Sequence, residues 1–347
     1  MHVHALWSFR NTYQASLIME FLLTLTQNVL SPAILFFVLG ILAGAFKSDL
    51  EIPNSISRYL SIYLMMAIGF KGGVAIADTK EITEQIIFAI VTGVAFGFLI
   101  PFLGFGLLRW TTKLDKATMA AIAAHYGSIS IVTFATAVSF LKLNEISYAG
   151  YIVAIVALME APAIVSGLFI AHRADPGTKT HNAEEKKLAR EIFSNGAILL
   201  LFGSFVIGMI SGNSGLEKMG GFLVTPFQGI LALFLLDMGL MVAKNLHHLK
   251  SFTWPLALFG IYMPLIGGAL GLAASHMIGL DLGTGTLFTV LCASASYIAV
   301  PAAMRLALPE AKAAIYVPMS LAITFPFNVV IGIPLYYAAA KLFLSTH

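Results

Sequence analysis

An all-α polytopic membrane protein is the fold this sequence predicts, with ten transmembrane helices arranged as two inverted five-helix repeats. Three observations lead there: a composition too apolar for a soluble domain, ten apolar stretches near spanning length, and motifs that recur between the two halves. Of 347 residues, 59% are hydrophobic and only 11% charged, where a soluble domain carries about 25% charged residues. Mean hydropathy is +0.88. The net charge of +3 is spread along the chain and gives no nucleic-acid footprint. A single cysteine, Cys292, excludes an internal disulfide, and no Cys/His spacing suits a structural metal.

The elements follow in order. Residues 1–28 read as an N-terminal extension or interfacial segment. They lack the basic start and clean apolar core of a secretory signal, and Met19 opens "MEFLLTLTQNVL", a second candidate start. A spanning helix needs about 20 mostly apolar residues. The first repeat, 29–171, offers spans at 29–46, 56–77, 86–108, 117–141 and 147–171. The stretch 172–191, "HRADPGTKTHNAEEKKLARE", is a charged linker with a Pro-Gly step. The second repeat, 192–347, offers spans at 192–211, 222–243, 252–278, 284–307 and 311–342. Glycines mark 56–77 and 222–243 for partial unwinding, which membrane helices tolerate where protein surrounds them. The apolar runs are continuous rather than alternating, which argues against a β-barrel.

Lys and Arg set the orientation. Fourteen of the 20 fall on the side of the 172–191 linker and five (Arg10, Lys80, Lys142, Lys218, Lys341) on the other, with Lys71 inside a span. The linker is therefore expected in the cytoplasm, with both termini extracytoplasmic and the chain in the cell inner membrane.

The halves share three motifs. "LMMAIGFKGGVA" (64–75) aligns with "LLDMGLMVAKNL" (235–246), matching Gly69 with Gly239. "GSISIVTFA" (127–135) aligns with "ASASYIAVP" (293–301), matching Ser128 and Ser130 with Ser294 and Ser296. "EAPAIVSG" (160–167) aligns with "TFPFNVVIG" (324–332), matching Pro162 with Pro326. Five spans per half is odd, so the second half must run inverted, as in many secondary transporters. Such folds place substrate and ion at broken helices near the midplane, where N-terminal N–H groups favour anions and C-terminal carbonyls favour cations. The fourth and ninth spans are expected to break and cross there. Gly127, Ser128, Ser130, Ser294, Ser296 and Tyr297 are the candidate substrate contacts, and Ser/Gly helix packing is the competing reading.

Other polar residues lie within the spans. Glu160 precedes Pro162 and could coordinate Na⁺, carry H⁺ or serve as a structural hydrogen-bond partner. Asn328 sits near the matching position in the tenth span, with the same two readings. Lys71 and Asp237 are expected to pair across the repeat axis. For His125, proton shuttling competes with satisfaction by a neighbouring carbonyl.

These residues resemble the sodium-dependent bicarbonate transporter family, best known from cyanobacteria. The resemblance rests on "GFKGGVAI" (69–76), "EISYAGYIVAIVALMEAPA" (145–163), "SASYIAVPAAMRLALPEA" (294–311) and "NVVIGIPLY" (328–336). It implies a core domain moving against a gate domain as an elevator, assembly as a homotrimer, and bicarbonate with Na⁺ at the broken helices. Thr133, Glu160 and Asn328 are then the candidate ion-coupling residues. No cofactor is implied beyond Na⁺ as coupling ion, and the partners are the small anion, membrane lipid and a cytoplasmic signalling protein that binds the cyanobacterial relatives. The chain also departs from the family pattern S-S-S-D-I-S-G-P-P-T: Tyr297 stands in place of the aspartate and Ala299 in place of a serine. Fewer oxygen ligands leave another small anion or carboxylate, coupled to Na⁺ or H⁺, as an alternative cargo. An intramembrane enzyme using His125 and Glu160 is a remote alternative, because no nucleophile–base motif accompanies them. A channel would need a filter motif or charge ring, and neither is present.

The charge asymmetry yields a topological prediction. In a Cys292→Ala background, a Thr178→Cys variant is expected to resist impermeant thiol reagents in intact cells and to react after permeabilisation.

Overall fold

The computed structural model describes residues 19, 21–78, 83–174, 196–297 and 299–344. The described residues form thirteen α-helical elements joined by short connections: α1 (Phe21–Val29), α2 (Pro32–Ala45), α3 (Asn54–Ala77), α4 (Glu84–Thr111), α5 (Lys116–Gly127), α6 (Ile131–Leu143), α7 (Ile152–Ala174), α8 (Gly196–Leu223, kinked at Gly212), α9 (Phe227–Asn245), α10 (Trp254–Ile278), α11 (Leu282–Ala293), α12 (Ala299–Ala307) and α13 (Ala313–Leu344), with a 3-10 helix at Leu246–Ser251 between α9 and α10. Eight of the described helices, with α5 and α6 joined as one, are long and apolar enough to cross a membrane. The count is nine if α1 and α2, bent by 61° at residues 30–31, form one span. The stretch expected as the ninth span is two short helices, α11 and α12. Of the expected 172–191 linker, 172–174 end α7, and the rest lies outside the described residues. Residues 21–28 belong to α1, where Asn28 is buried and donates from Nδ2 to the carbonyls of Val329 (3.0 Å) and Val330 (3.1 Å) on α13.

The helices sort into two groups. A panel consists of α2 against α9 and α3 against α8; the core group consists of α4–α7 with α10–α13. Glycines hold the panel together. A methyl group added to Gly69 on α3 would meet the Leu201 carbonyl of α8 at 2.5 Å, Ser204 Cβ at 2.9 Å and the Phe205 nitrogen at 3.2 Å. One added to Gly239 on α9 would meet the Phe37 carbonyl of α2 at 2.2 Å, Gly40 Cα at 2.9 Å and the Ile41 nitrogen at 2.8 Å. Each glycine thus presses on the residues at i, i+3 and i+4 of its partner helix. Only a missing side chain permits backbones so close, the usual route to helix association in lipid. The expectation that these glycines unwind their spans is therefore corrected: α3 and α9 are continuous helices.

The core group surrounds α5 and α6. Every residue from Thr118 to Leu141 is buried, so the polar side chains of this span meet protein rather than lipid. The two short helices α5 and α11 start alike. The Asp115 carboxylate accepts from the Thr118 N–H at 2.8 Å, and the Asp281 carboxylate from the Thr284 N–H at 2.9 Å. Both aspartates thus satisfy an N–H that a helix start leaves unpaired. Each threonine hydroxyl then receives a distant backbone N–H: Lys312 donates to Thr118 at 3.0 Å and Ala149 to Thr284 at 2.8 Å. Two equivalent ties thereby lock each short helix to the other half of the chain.

Asp115 also pairs with Lys312 at 3.2 Å. Partial burial works to raise its carboxyl, but the bonds from Thr118 and the Lys312 ammonium outweigh it and hold the group below the usual carboxylate range. A depressed folded-state value means that this stabilisation is present above the unfolded value of about 4 and is lost as pH falls through the folded one. Asp115→Asn keeps a cap but is expected to lose that acid-side dependence in melting curves of the purified protein. Asp115→Ala is expected to cost about 1 kcal/mol at neutral pH.

Candidate functional site

Two helix breaks lie side by side at the centre of the core group. Between α5 and α6 the chain runs extended through Ser128 and Ser130. Between α11 and α12 it passes through Ser294, Ser296 and Tyr297. A break frees carbonyls at one helix end and N–H groups at the next, and in a dry interior each needs a partner. The two breaks supply partners to each other. Ser130 donates its N–H to Ser294 Oγ at 3.2 Å, and Ser296 donates its N–H to the His125 carbonyl at 2.8 Å. Ser294 Oγ in turn donates to the Leu291 carbonyl at 2.9 Å, and Asn328 Nδ2 donates to the last carbonyl of α11, Ala293, at 2.8 Å.

The new helix starts are capped by the same serines. Ser130 Oγ accepts from the Thr133 N–H (3.1 Å) and from the Thr133 hydroxyl (2.9 Å). Ser296 Oγ receives the Val300 N–H at 3.5 Å, a long contact. Of the candidate residues, Ser130, Thr133, Ser294, Ser296 and Asn328 thus join through direct bonds at the crossing. Asn328 is engaged at both ends, since its Oδ1 accepts from the Tyr336 hydroxyl at 3.0 Å. Here α13 widens into π-helical turns on either side of Pro326. Proline lacks an N–H and crowds the preceding turn, and such π turns often mark functional sites.

Two hydroxyls at the crossing have no partner. Ser128 Oγ and the Tyr297 hydroxyl are both buried and unbonded. The Tyr297 hydroxyl points towards Ser130, and the charge of Asp237 on α9 reaches it from the panel. Its ring packs edge-on against Phe325 at 5.2 Å, and Phe325 packs likewise on Phe37 of α2 at 5.6 Å. Leaving a hydroxyl buried and unpaired costs roughly 1–3 kcal/mol. Two of them lie beside the starts of α6 and α12, as donors that the fold leaves free.

Gly127 and Glu160 lie on the flank of the crossing that faces α4 and α7. Pro101 interrupts the bonding of α4, and a methyl group on Gly127 would meet Pro101 Cγ at 2.3 Å and the Gly97 carbonyl at 2.6 Å. Gly127 is thus a point of close packing. A methyl on Gly97 would meet the carbonyl of Met159 at 2.8 Å and that of Gly127 at 3.5 Å, which sets α7 beside the break. Glu160 follows Met159 and is 3% exposed. His125 is satisfied at Nδ1 by the Ala121 carbonyl at 2.6 Å, as expected of a buried imidazole, and its ring packs on Tyr316 at 4.9 Å. Its Nε2 has no partner.

The expected Lys71–Asp237 pair is corrected. The Lys71 ammonium lies over the Phe227 ring at 5.2 Å, whereas the Asp237 carboxylate faces Ser57. Ser57 and Lys71 are fourteen residues apart on α3, about 21 Å along the axis, so the two charges sit at different depths. Sequence reading missed the Tyr336–Asn328–Ala293 tie and the parallel Tyr126–Thr324–Gly260 relay, whose bonds measure 2.7 and 2.8 Å. Only the spacing of polar residues on α13 hints at either.

Gly127→Ala forces a methyl against Pro101 and the Gly97 carbonyl, and is expected to destabilise the fold by about 1–3 kcal/mol, read as a lower melting temperature in detergent. Ser128→Ala removes only an unpaired hydroxyl and is expected to leave that temperature unchanged or slightly raised.

With the geometry in place, comparison with known proteins gives one result. The family model described as the Na⁺-dependent bicarbonate transporter superfamily matches residues 32–341, nearly the whole chain. No curated protein sequence matches it. The chain belongs to the Na⁺-dependent bicarbonate transporter superfamily, a family of transporters rather than enzymes.

Proposed function

We propose that this member of the superfamily takes up bicarbonate with Na⁺ as a secondary transporter of elevator type, with the core group moving against the panel and three copies assembled in the inner membrane. The observation that carries the reading is the serine crossing: two helix breaks, each capped by serine, converge on two buried hydroxyls that have no protein partner. Ser128 and Tyr297 are the donors left free for an oxyanion. The starts of α6 and α12 add positive potential without the cost of a lysine charge. Glu160 supplies the carboxylate for a coupling cation, with lone pairs of Thr133 and the second lone pair of Asn328 Oδ1 as further oxygens.

An inverted repeat is supported by the recurrence of whole contacts rather than of residue types alone. Asp115/Thr118 and Asp281/Thr284 cap α5 and α11 in the same way. Gly69 and Gly239 press on Leu201/Ser204/Phe205 and Phe37/Gly40/Ile41 in the same pattern. The two-group architecture supports the elevator, because both serine-capped breaks lie in the core group, although the panel itself bends at Gly212 of α8. Tyr297 and Ala299, where the family pattern has an aspartate and a serine, favour as second reading a cargo needing fewer cation ligands, such as another small anion or carboxylate coupled to Na⁺ or H⁺.

Uptake of labelled bicarbonate into proteoliposomes, with an inward Na⁺ gradient or with K⁺ in its place, tests the reading. Na⁺-dependent accumulation is expected, and its absence alongside transport of another anion would move the assignment to that anion. Ser128→Ala is expected to raise KM roughly five-fold, the equivalent of about 1 kcal/mol for one hydrogen bond. Glu160→Gln is expected to abolish the dependence on the coupling cation while the protein still assembles. Unchanged cation dependence would leave Glu160 a structural residue.

A further inference from the structure

Asn328 is held at both ends, and the residue that holds its oxygen has no part in the mechanism above. The chemistry of the partners fixes which way the amide faces. The Ala293 carbonyl can only accept, so the atom 2.8 Å from it is the amide nitrogen. Oδ1 therefore faces the Tyr336 hydroxyl at 3.0 Å, and because Oδ1 can only accept, the hydroxyl is the donor. Ala293, Asn328 and Tyr336 are all buried, so neither bond competes with bulk water.

Two glycines set the place of that hydroxyl. Tyr336 follows Asn328 by eight residues, about 12 Å along an ideal helix. Side chains on a helix lean towards its N-terminus, so the Tyr336 ring reaches back over Gly332, midway between the two. Gly332 ends the π-helical turn that begins at Asn328. A methyl group on Gly332 would meet Asn328 Oδ1 at 2.7 Å and the ring at Cε2 (3.0 Å) and Cζ (3.4 Å). The other edge of the ring lies against α10, where a methyl on Gly268 would meet Cε1 at 2.7 Å and Cδ1 at 3.1 Å. A ring confined at both edges has one place to put its hydroxyl, and the missing side chain at Gly332 is what lets amide and phenol meet.

The tie from α13 to the end of α11 uses the amide nitrogen alone. With that bond only, the amide would be free to tilt about its contact with Ala293; the phenol fixes its oxygen as well. A carbonyl oxygen has two lone pairs, and the hydroxyl takes one. The other stays on an atom that cannot swing away, which is what a hard cation asks of an oxygen ligand.

We propose that Tyr336 is a positioning residue for the coupling cation: its hydroxyl holds Asn328 Oδ1 at the angle from which the second lone pair serves the ion. Tyr336 itself does not touch the cation. The inference rests on the reading of Asn328 as a cation ligand and makes Na⁺ affinity depend on a phenol that lies behind that ligand. Loss of the hydroxyl leaves the bond to Ala293, so the end of α11 and Ser294 keep their places and the anion side of the crossing is spared.

Two readouts on the full chain test the proposal. The first is the melting temperature of the purified protein in detergent across a Na⁺ series, with choline in its place at constant ionic strength. A cation that binds the folded protein raises this temperature from a concentration set by its affinity. The second is the Na⁺ dependence of labelled bicarbonate uptake into proteoliposomes. Tyr336→Phe keeps the ring in its slot and is expected to raise the onset of stabilisation and the half-saturating Na⁺ roughly five-fold, the weight of one hydrogen bond. The bicarbonate KM at saturating Na⁺ is expected to stay unchanged. Gly332→Ala keeps the hydroxyl but sets a methyl against Oδ1; it is expected to shift both readouts the same way, and decides the matter if Tyr336→Phe assembles poorly. A purely structural tie would lower the melting temperature equally at every Na⁺ concentration and leave the half-saturating Na⁺ where it was, and that result would overturn the positioning role. A wild type indifferent to Na⁺ in both readouts would instead overturn the cation reading itself, and the inference with it.

Discussion

Backbone groups freed inside a membrane protein have no water to turn to, and the rest of this structure is arranged around that constraint. Two helices break side by side, and each break is stable only because the other satisfies it. The Ser130 N–H reaches Ser294, the Ser296 N–H reaches the His125 carbonyl, and Asn328 closes the end of α11. Removing either break would orphan groups of the other. This reciprocity explains why α5 and α6 are buried along their length, and why α5 and α11 are tied at their starts by Thr118 and Thr284 to distant parts of the chain.

The same constraint separates polar groups into two kinds. Ser130, Thr133, Ser294 and Asn328 are engaged in holding the crossing together, through bonds to one another and to the backbone. Ser128 and Tyr297 are the reverse, buried hydroxyls that nothing in the fold requires. The panel obeys a different rule. Its helices meet glycine against backbone, as Gly69 meets α8 and Gly239 meets α2.

Much of this was readable in the sequence. The composition requires a membrane, because 11% charged residues cannot solvate a surface of this size. Apolar stretches of spanning length require helices, because a single strand cannot satisfy its backbone in lipid. The repeated serine pairs and the Pro162/Pro326 match located the crossing, since a break in a dry interior demands small polar residues at a fixed place in each half. What misled was chemistry that serves two ends. Glycine is needed both where a helix unwinds and where two helices touch, and Gly69 and Gly239 proved to be of the second kind. Lys71 and Asp237 looked like a pair because opposite charges in matching spans attract, but α3 and α9 bring Ser57, not Lys71, to the depth of Asp237.

The sequence by itself therefore determined the solvent, the helical class and the position of the two breaks, all of which depend on residue type and local spacing. Only the tertiary structure decided which hydroxyls are committed and which are free, that Gly127 is wedged against Pro101, and that Lys71 lies over Phe227 rather than beside Asp237. Those outcomes turn on the depth and rotation of one helix against another. Packing across the whole chain sets these, and residues 164 positions apart, such as Ser130 and Ser294, carry no local trace of the register in which they meet.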